Sequence, residues 1–156
     1  MTVSNDSRAA DDERAIRRLV ARYCHAIAER DDAAWAATWA EDGEWLVLGA
    51  AIRSRVAILE HYRKLVSRAR WVVQLATDGI VDVDGDTAQG RWQVLEFLQW
   101  SNGTGGQNVA RYRDRYVRGA DGEWRFARRQ LLVTYIGGPD LTADPPPPQL
   151  RGAEGG

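Results

Sequence analysis

The 156-residue sequence predicts a single α+β domain, with helices in its first half and an antiparallel sheet in its second. Three observations carry this. Up to Arg70 the apolar residues recur at helical spacing. Beyond Arg70, four long stretches are rich in β-branched and aromatic residues. Those stretches are separated by short Gly-, Asp- and Asn-containing segments of the kind that turn hairpins.

The first helix places Ile16, Leu19, Val20, Tyr23 and Ile27 on one stripe, and Asp11, Asp12 and Glu13 sit where the helix dipole favours anions. A second short helix follows Asp32 as its cap and carries Trp35 and Trp39 one turn apart. Glu41-Asp42-Gly43 breaks it, and Glu44–Leu48 reads as a short strand. Ser54 caps a third helix, whose Ile58, Tyr62, Leu65 and Val66 share a face. The strands are Trp71–Val83, Thr87–Trp100, Asn108–Arg118 and Glu123–Tyr135. We therefore expect a flexible N-terminus over residues 1–10, a domain over 11–138, and a flexible or surface-laid Pro- and Gly-rich tail over 139–156.

Composition narrows the function classes. The fractions, 44% hydrophobic and 28% charged, are those of an ordinary globular protein. A net charge of −1 argues against a nucleic-acid partner. No run approaches the ~20 apolar residues of a membrane span, so no membrane partner is expected. The first fifteen residues carry no apolar core of a secretory signal, and the lone Cys24 cannot form an internal disulfide, which makes the cytoplasm the default compartment. His25, His61 and Cys24 stand in unrelated places, so no metal is expected, and nucleophile-elbow and phosphate-loop motifs are absent. Seven tryptophans are either core fillers or the walls of an aromatic cavity.

Polar residues on apolar strand faces are the informative exceptions. Glu96 is the one charge on a face that reads Ala88, Gly90, Trp92, Val94, Glu96, Leu98, Trp100. It is either paired with an arginine or raised in pKa by desolvation, as a general acid or base requires. Asp114 stands between Tyr112 and Tyr116 on the inward face of the next strand, and reads equally as a proton-transfer group or as an anchor for tyrosine or arginine. The opposite face carries Arg111, Arg113 and Arg115. Tyr23 lies on the buried stripe of the first helix, where its hydroxyl needs a partner or a cavity.

Several segments, taken together and in order, resemble the SnoaL-like branch of the nuclear transport factor 2-like superfamily. They are the Tyr23 helix, Arg30-Asp31-Asp32 before a Trp-containing helix, Ala40-Glu41-Asp42-Gly43, Asp84-Gly85-Asp86-Thr87-Ala88, Tyr112-x-Asp114-x-Tyr116, and Asp121-Gly122-x-Trp124-Arg125-Phe126. The resemblance implies a cone-shaped barrel: a bent antiparallel sheet closed by three N-terminal helices around a single apolar pocket. It also implies chemistry without a cofactor. Tyr23 is similar to the first-helix tyrosine with which dehydratases polarise a substrate oxygen. Their aspartate and histidine correspond to Ala28 and Gln74 here, so the usual proton-transfer pair is missing. Asp114 is similar in spacing to the oxyanion-binding aspartate of ketosteroid isomerases.

The expected site therefore has Glu96, Tyr23 and Asp114 as catalytic residues, with Trp39, Trp45, Gln74, Trp92, Asn108 and Tyr112 against the substrate. The expected function is a cofactor-independent lyase or isomerase acting on a small apolar cyclic metabolite. The alternative is a non-catalytic binding or assembly domain. A homodimer or other homo-oligomer is the expected assembly.

Overall fold

The computed structural model describes residues 5–152; the remaining residues of the two expected flexible ends lie outside them. α1 (Asn5–Glu29) buries Ile16, Leu19, Val20, Tyr23, Ala26 and Ile27, the stripe read from the sequence. It starts earlier than expected: residues 5–10 are helical turns, held in part by Arg8 lying 4.0 Å from Asp12 and 3.7 Å from Asp86. Arg30, at a φ of 56°, ends the helix. Asp31, not Asp32, then caps α2 (Asp32–Ala37), its carboxylate accepting from the Ala34 amide at 2.9 Å.

Trp39 is not helical. The Thr38 hydroxyl donates to the Trp35 carbonyl at 2.6 Å, and the Thr38 carbonyl accepts from the Phe126 amide at 2.9 Å. That pairing draws the chain into β1 (Trp39–Val47), longer than the expected strand. Leu48 and Gly49 both have positive φ, 48° and 84°, in the two-residue turn to β2 (Ala50–Arg53). Ser54 caps α3 (Arg55–Val66), which buries Ile58 and Tyr62.

β3 (Ala69–Asp84), β4 (Thr87–Trp100), β5 (Gly105–Arg118) and β6 (Trp124–Gly137) form the expected meander. Among the described residues the sheet has six strands in the order β2-β1-β6-β5-β4-β3. It is mixed rather than antiparallel, because β1 runs parallel to β6. Its ends, β2 and β3, are not hydrogen-bonded to each other, so helices and not a closed ladder fill the open side. In β3 a bulge near Asp78 brings Gly79 beneath Trp92, where an added Cβ would lie 2.1 Å from the ring. After β6 the tail turns back at Gly138, whose carbonyl accepts from the Tyr135 hydroxyl at 2.7 Å, and leads into α4 (Pro148–Arg151). Among the described residues, no helix is long and apolar enough to cross a membrane.

Asp12 ties α1 to the sheet. Its carboxylate accepts from Arg118 Nη2 at 2.5 Å and Trp124 Nε1 at 3.2 Å while only 6% exposed. The Arg118 hydrogen bond is the main reason its carboxyl lies below the ordinary aspartate value. Asp12→Ala should cost about 1–3 kcal/mol in urea unfolding at neutral pH, since buried donors lose their acceptor. A depressed folded pKa stabilises above the ordinary aspartate range and ceases to as pH falls through the folded value. The difference between wild type and variant should therefore shrink in acid.

Candidate active site

The site is built by strand register. Gln74, Glu96 and Asn108 are in-register partners on β3, β4 and β5, so three polar side chains stand in a row across the inner face. Gln74 Nε2 donates to Glu96 Oε2 at 2.8 Å, and Asn108 Nδ2 donates to Glu96 Oε1 at 2.5 Å. The Tyr112 hydroxyl donates to Gln74 Oε1 at 3.1 Å, which fixes the amide with its NH2 toward Glu96. The Tyr23 ring lies edge-on to that of Tyr112, with ring centroids 6.2 Å apart.

This row closes one side of a cavity of about 230 Å³. Ile27, Val47, Leu65, Val72, Leu98 and Leu131 supply apolar wall, and Trp45, Tyr62 and Trp100 supply aromatic wall. Of the nine residues expected in the site, Tyr23, Trp45, Gln74, Glu96, Asn108 and Tyr112 line this cavity.

The other three do not line it. Trp39 is fully buried in a cluster with Trp35, Trp45 and Phe126. Trp92 lies over Gly79 and donates its indole N–H to the Tyr116 hydroxyl at 2.8 Å. Asp114 has both oxygens engaged: Arg129 donates to each at 2.9 Å, and the Tyr116 hydroxyl donates to Oδ2 at 2.7 Å. It is the anchor of the two readings, and an oxyanion role would require breaking that pair.

Arg129 is 0% exposed, with its guanidinium 3.7 Å from the Tyr112 ring centroid and 4.3 Å from that of Tyr23. Burial would lower its pKa, but the Asp114 charge holds it above its ordinary value. It forms a cationic floor beneath the two tyrosines.

Glu96 has no ion-pair partner among the described residues. Burial pushes its carboxyl above the ordinary glutamate value, and the amides of Gln74 and Asn108 pull the other way. Tyr23 and Tyr112 are raised by burial, so both hydroxyls remain protonated donors at neutral pH. A carboxyl able to hold or release a proton thus faces a largely apolar cavity beside two phenols. His25 is exposed on α1, and His61 packs edge-on to Trp45 with ring centroids 5.8 Å apart; neither lines the cavity. Among the described residues, no three His, Cys, Asp or Glu side chains gather as metal ligands.

Sequence reasoning did not place Tyr62 or Arg129 in the site. Tyr62 was legible only as a member of the buried face of α3, and Arg129 only among the arginines that could have paired with Glu96, whereas it pairs with Asp114.

The sequence profile of the SnoaL-like domain matches residues 8–130. No curated protein matches the chain. A protein of unknown function from Mycobacterium tuberculosis is 31% identical, the match covering 85% of this chain and 78% of that one, with a TM-score of 0.76. A candidate scytalone dehydratase from Novosphingobium aromaticivorans is 24% identical over 88% of this chain and 93% of its own, with a TM-score of 0.77. A hexachlorocyclohexane dehydrochlorinase from Novosphingobium barchaimii is 22% identical over 92% and 100%, with a TM-score of 0.79. At these identities the last two establish likeness of fold.

Proposed function

The chain belongs to the SnoaL-like domain family, and from that premise we propose that it is a cofactor-independent lyase or isomerase acting on a small apolar cyclic metabolite. The observation that carries this reading is Glu96: a carboxyl without a cation, held by two amides at the polar side of an apolar cavity. In the proposed reaction Glu96 takes a proton from the substrate carbon and returns it to the leaving group or to a neighbouring carbon. Tyr23 donates a hydrogen bond to the oxygen on which negative charge develops. Gln74 and Tyr112 orient Glu96 and do not themselves transfer the proton. The dehydratase and dehydrochlorinase among the fold neighbours carry out eliminations by name, which fits this chemistry.

The second reading is a ligand-binding domain without turnover. It is favoured by Ala28 and Gln74, which stand where the dehydratase pair would be. Mass spectrometry of small molecules released from the purified protein identifies the ligand, and turnover is then measured in wild type and Glu96→Gln. The enzyme reading expects a loss of about 10²–10⁴-fold in kcat with binding retained. Equal rates, or no turnover in wild type, would contradict it.

We also propose self-association through the outer sheet face. Trp71, Val73 and Leu75 on β3 lie there beside Leu95 on β4, each 39–46% exposed, in one apolar patch. Sedimentation should give a multiple of 17.4 kDa, reduced to the monomer by Leu75→Arg; a wild-type monomer at high micromolar concentration would refute it.

A further inference from the structure

Arginines crowd the outer face of the sheet, on the side away from the Glu96 cavity. Arg111, Arg113 and Arg115 alternate along β5, and register sets Arg91 of β4 directly opposite Arg113 and Arg128 of β6 directly opposite Arg115. Opposite residues have Cβ atoms about 5 Å apart, and like charges at that separation destabilise a sheet. Most other arginines of the chain are matched to a carboxylate or a carbonyl. Arg128 has Glu44 at 3.0 Å, but Arg91, Arg111, Arg113 and Arg115 have no ion-pair or side-chain hydrogen-bond partner among the described residues.

Arg91, Arg113, Arg115 and Arg128 line a groove of about 430 Å³, together with Gln89 and Gln130. That volume is within the ~300–1,000 Å³ usual for ligand sites. Asp82, in register with Gln89, is the one outward carboxylate of the lining, since Asp114 turns its own inward to Arg129. Three unmatched guanidinium groups, and one shared with Glu44, thus face a single acid in a chain of net charge −1. The positive field is local, and it calls for an anion. A carboxylate is saturated by one bidentate arginine, whereas a phosphate has three acceptor oxygens and accepts from two guanidinium groups at once. The two arginine pairs stand about 7 Å apart along β5, a span that long side chains close onto neighbouring phosphates. No aromatic side chain lines the groove to stack a base, which sets it apart from a nucleic-acid channel.

We propose that this groove binds a small polyanion with two or more linked phosphate groups, one held by Arg91 and Arg113 and the next by Arg115 and Arg128. The site is independent of the Glu96 cavity. It is also separate from the apolar patch, because Leu95 stands four residues from Arg91 along β4, about 13 Å away.

The test is titration calorimetry of the full chain with inorganic triphosphate at low ionic strength. Triphosphate should bind saturably, one per chain, about tenfold or more tightly than inorganic phosphate. Arg113→Gln should weaken it about tenfold or more, while Arg18→Gln, at an exposed and equally unpartnered arginine on α1, should bind as wild type does. Without the anion Arg113→Gln should unfold at the wild-type temperature or above it, because a like-charge contact is removed. Triphosphate should then raise the unfolding temperature of wild type more than that of the variant. The absence of saturable binding, or an equal loss in Arg113→Gln and Arg18→Gln, would overturn the site. So would a wild-type oligomer that ignores triphosphate and falls to the monomer in Arg113→Gln, which would make a second copy the occupant.

Discussion

Asp114→Ala is expected to destabilise the protein by about 3–5 kcal/mol, because it leaves the Arg129 guanidinium as an uncompensated charge in the core. Asp114 is 4% exposed and Arg129 is 0%, so water cannot take over the lost contacts. The Tyr116 hydroxyl loses its acceptor at the same time, which loosens the link to Trp92. Thermal unfolding should fall by about 10 °C or more for a domain of this size. The double variant Asp114→Leu, Arg129→Met should recover much of the loss, since an apolar pair of similar volume removes the desolvation cost along with the attraction. A single variant within about 1 kcal/mol of wild type would mean that Arg129 finds another partner or is hydrated. Catalytic loss in Asp114→Ala would follow from displacement of the floor beneath Tyr23 and Tyr112 and not from a missing proton donor.

The second large effect concerns Glu96 and pH. Its folded pKa lies above the ordinary value of 4.5, so the folded state holds this proton more tightly than the unfolded chain does. Between those two values stability falls as pH rises, at up to about 1.4 kcal/mol per pH unit for this one group. Above the window the penalty of an ionised, half-buried carboxylate persists. Glu96→Gln has no such proton to lose. Wild type and variant should therefore have similar urea midpoints below pH 4.5, and the variant should become progressively the more stable as pH rises through the window. A difference between them that stays constant from acid to neutral pH would show that Glu96 titrates normally.

Much of this was written in residue patterning. Alternation along Thr87–Trp100 put Glu96 on the buried face, and the strand has those bounds. The alternation along β5 likewise separated Tyr112, Asp114 and Tyr116 from the outward arginines. What the pattern lacked was register across irregular points. An uninterrupted β5–β6 hairpin would set Arg128 opposite Asp114. A shift between Arg115 and Tyr116, with Ala127 as the extra residue, sets Arg129 there instead and leaves Arg128 to meet Glu44 at 3.0 Å. Two consecutive arginines give no hint of which will turn inward. Trp39 was misplaced for a related reason: a tryptophan one turn after another fits a helix, and only the tertiary pairing of Thr38 with Phe126 moves it into the sheet. The parallel β1–β6 pairing is equally invisible locally, because it joins segments about eighty residues apart. Trp92 shows the limit of face assignment: it does point inward, yet Gly79 and Tyr116 hold it away from the cavity.

The proposed function requires Glu96 to be a carboxyl poised to hold and release a proton in the ligand cavity. Its direct test is a carbon-13 NMR titration of protein labelled at the glutamate side-chain carboxyl, with the Glu96 signal assigned by its disappearance in Glu96→Gln. The expected titration midpoint lies above 4.5 and is unaffected by Asp114→Asn, since Asp114 does not contact Glu96. A midpoint at or below 4.5 would contradict it, and would make the Gln74 and Asn108 hydrogen bonds the support of a permanently ionised structural group.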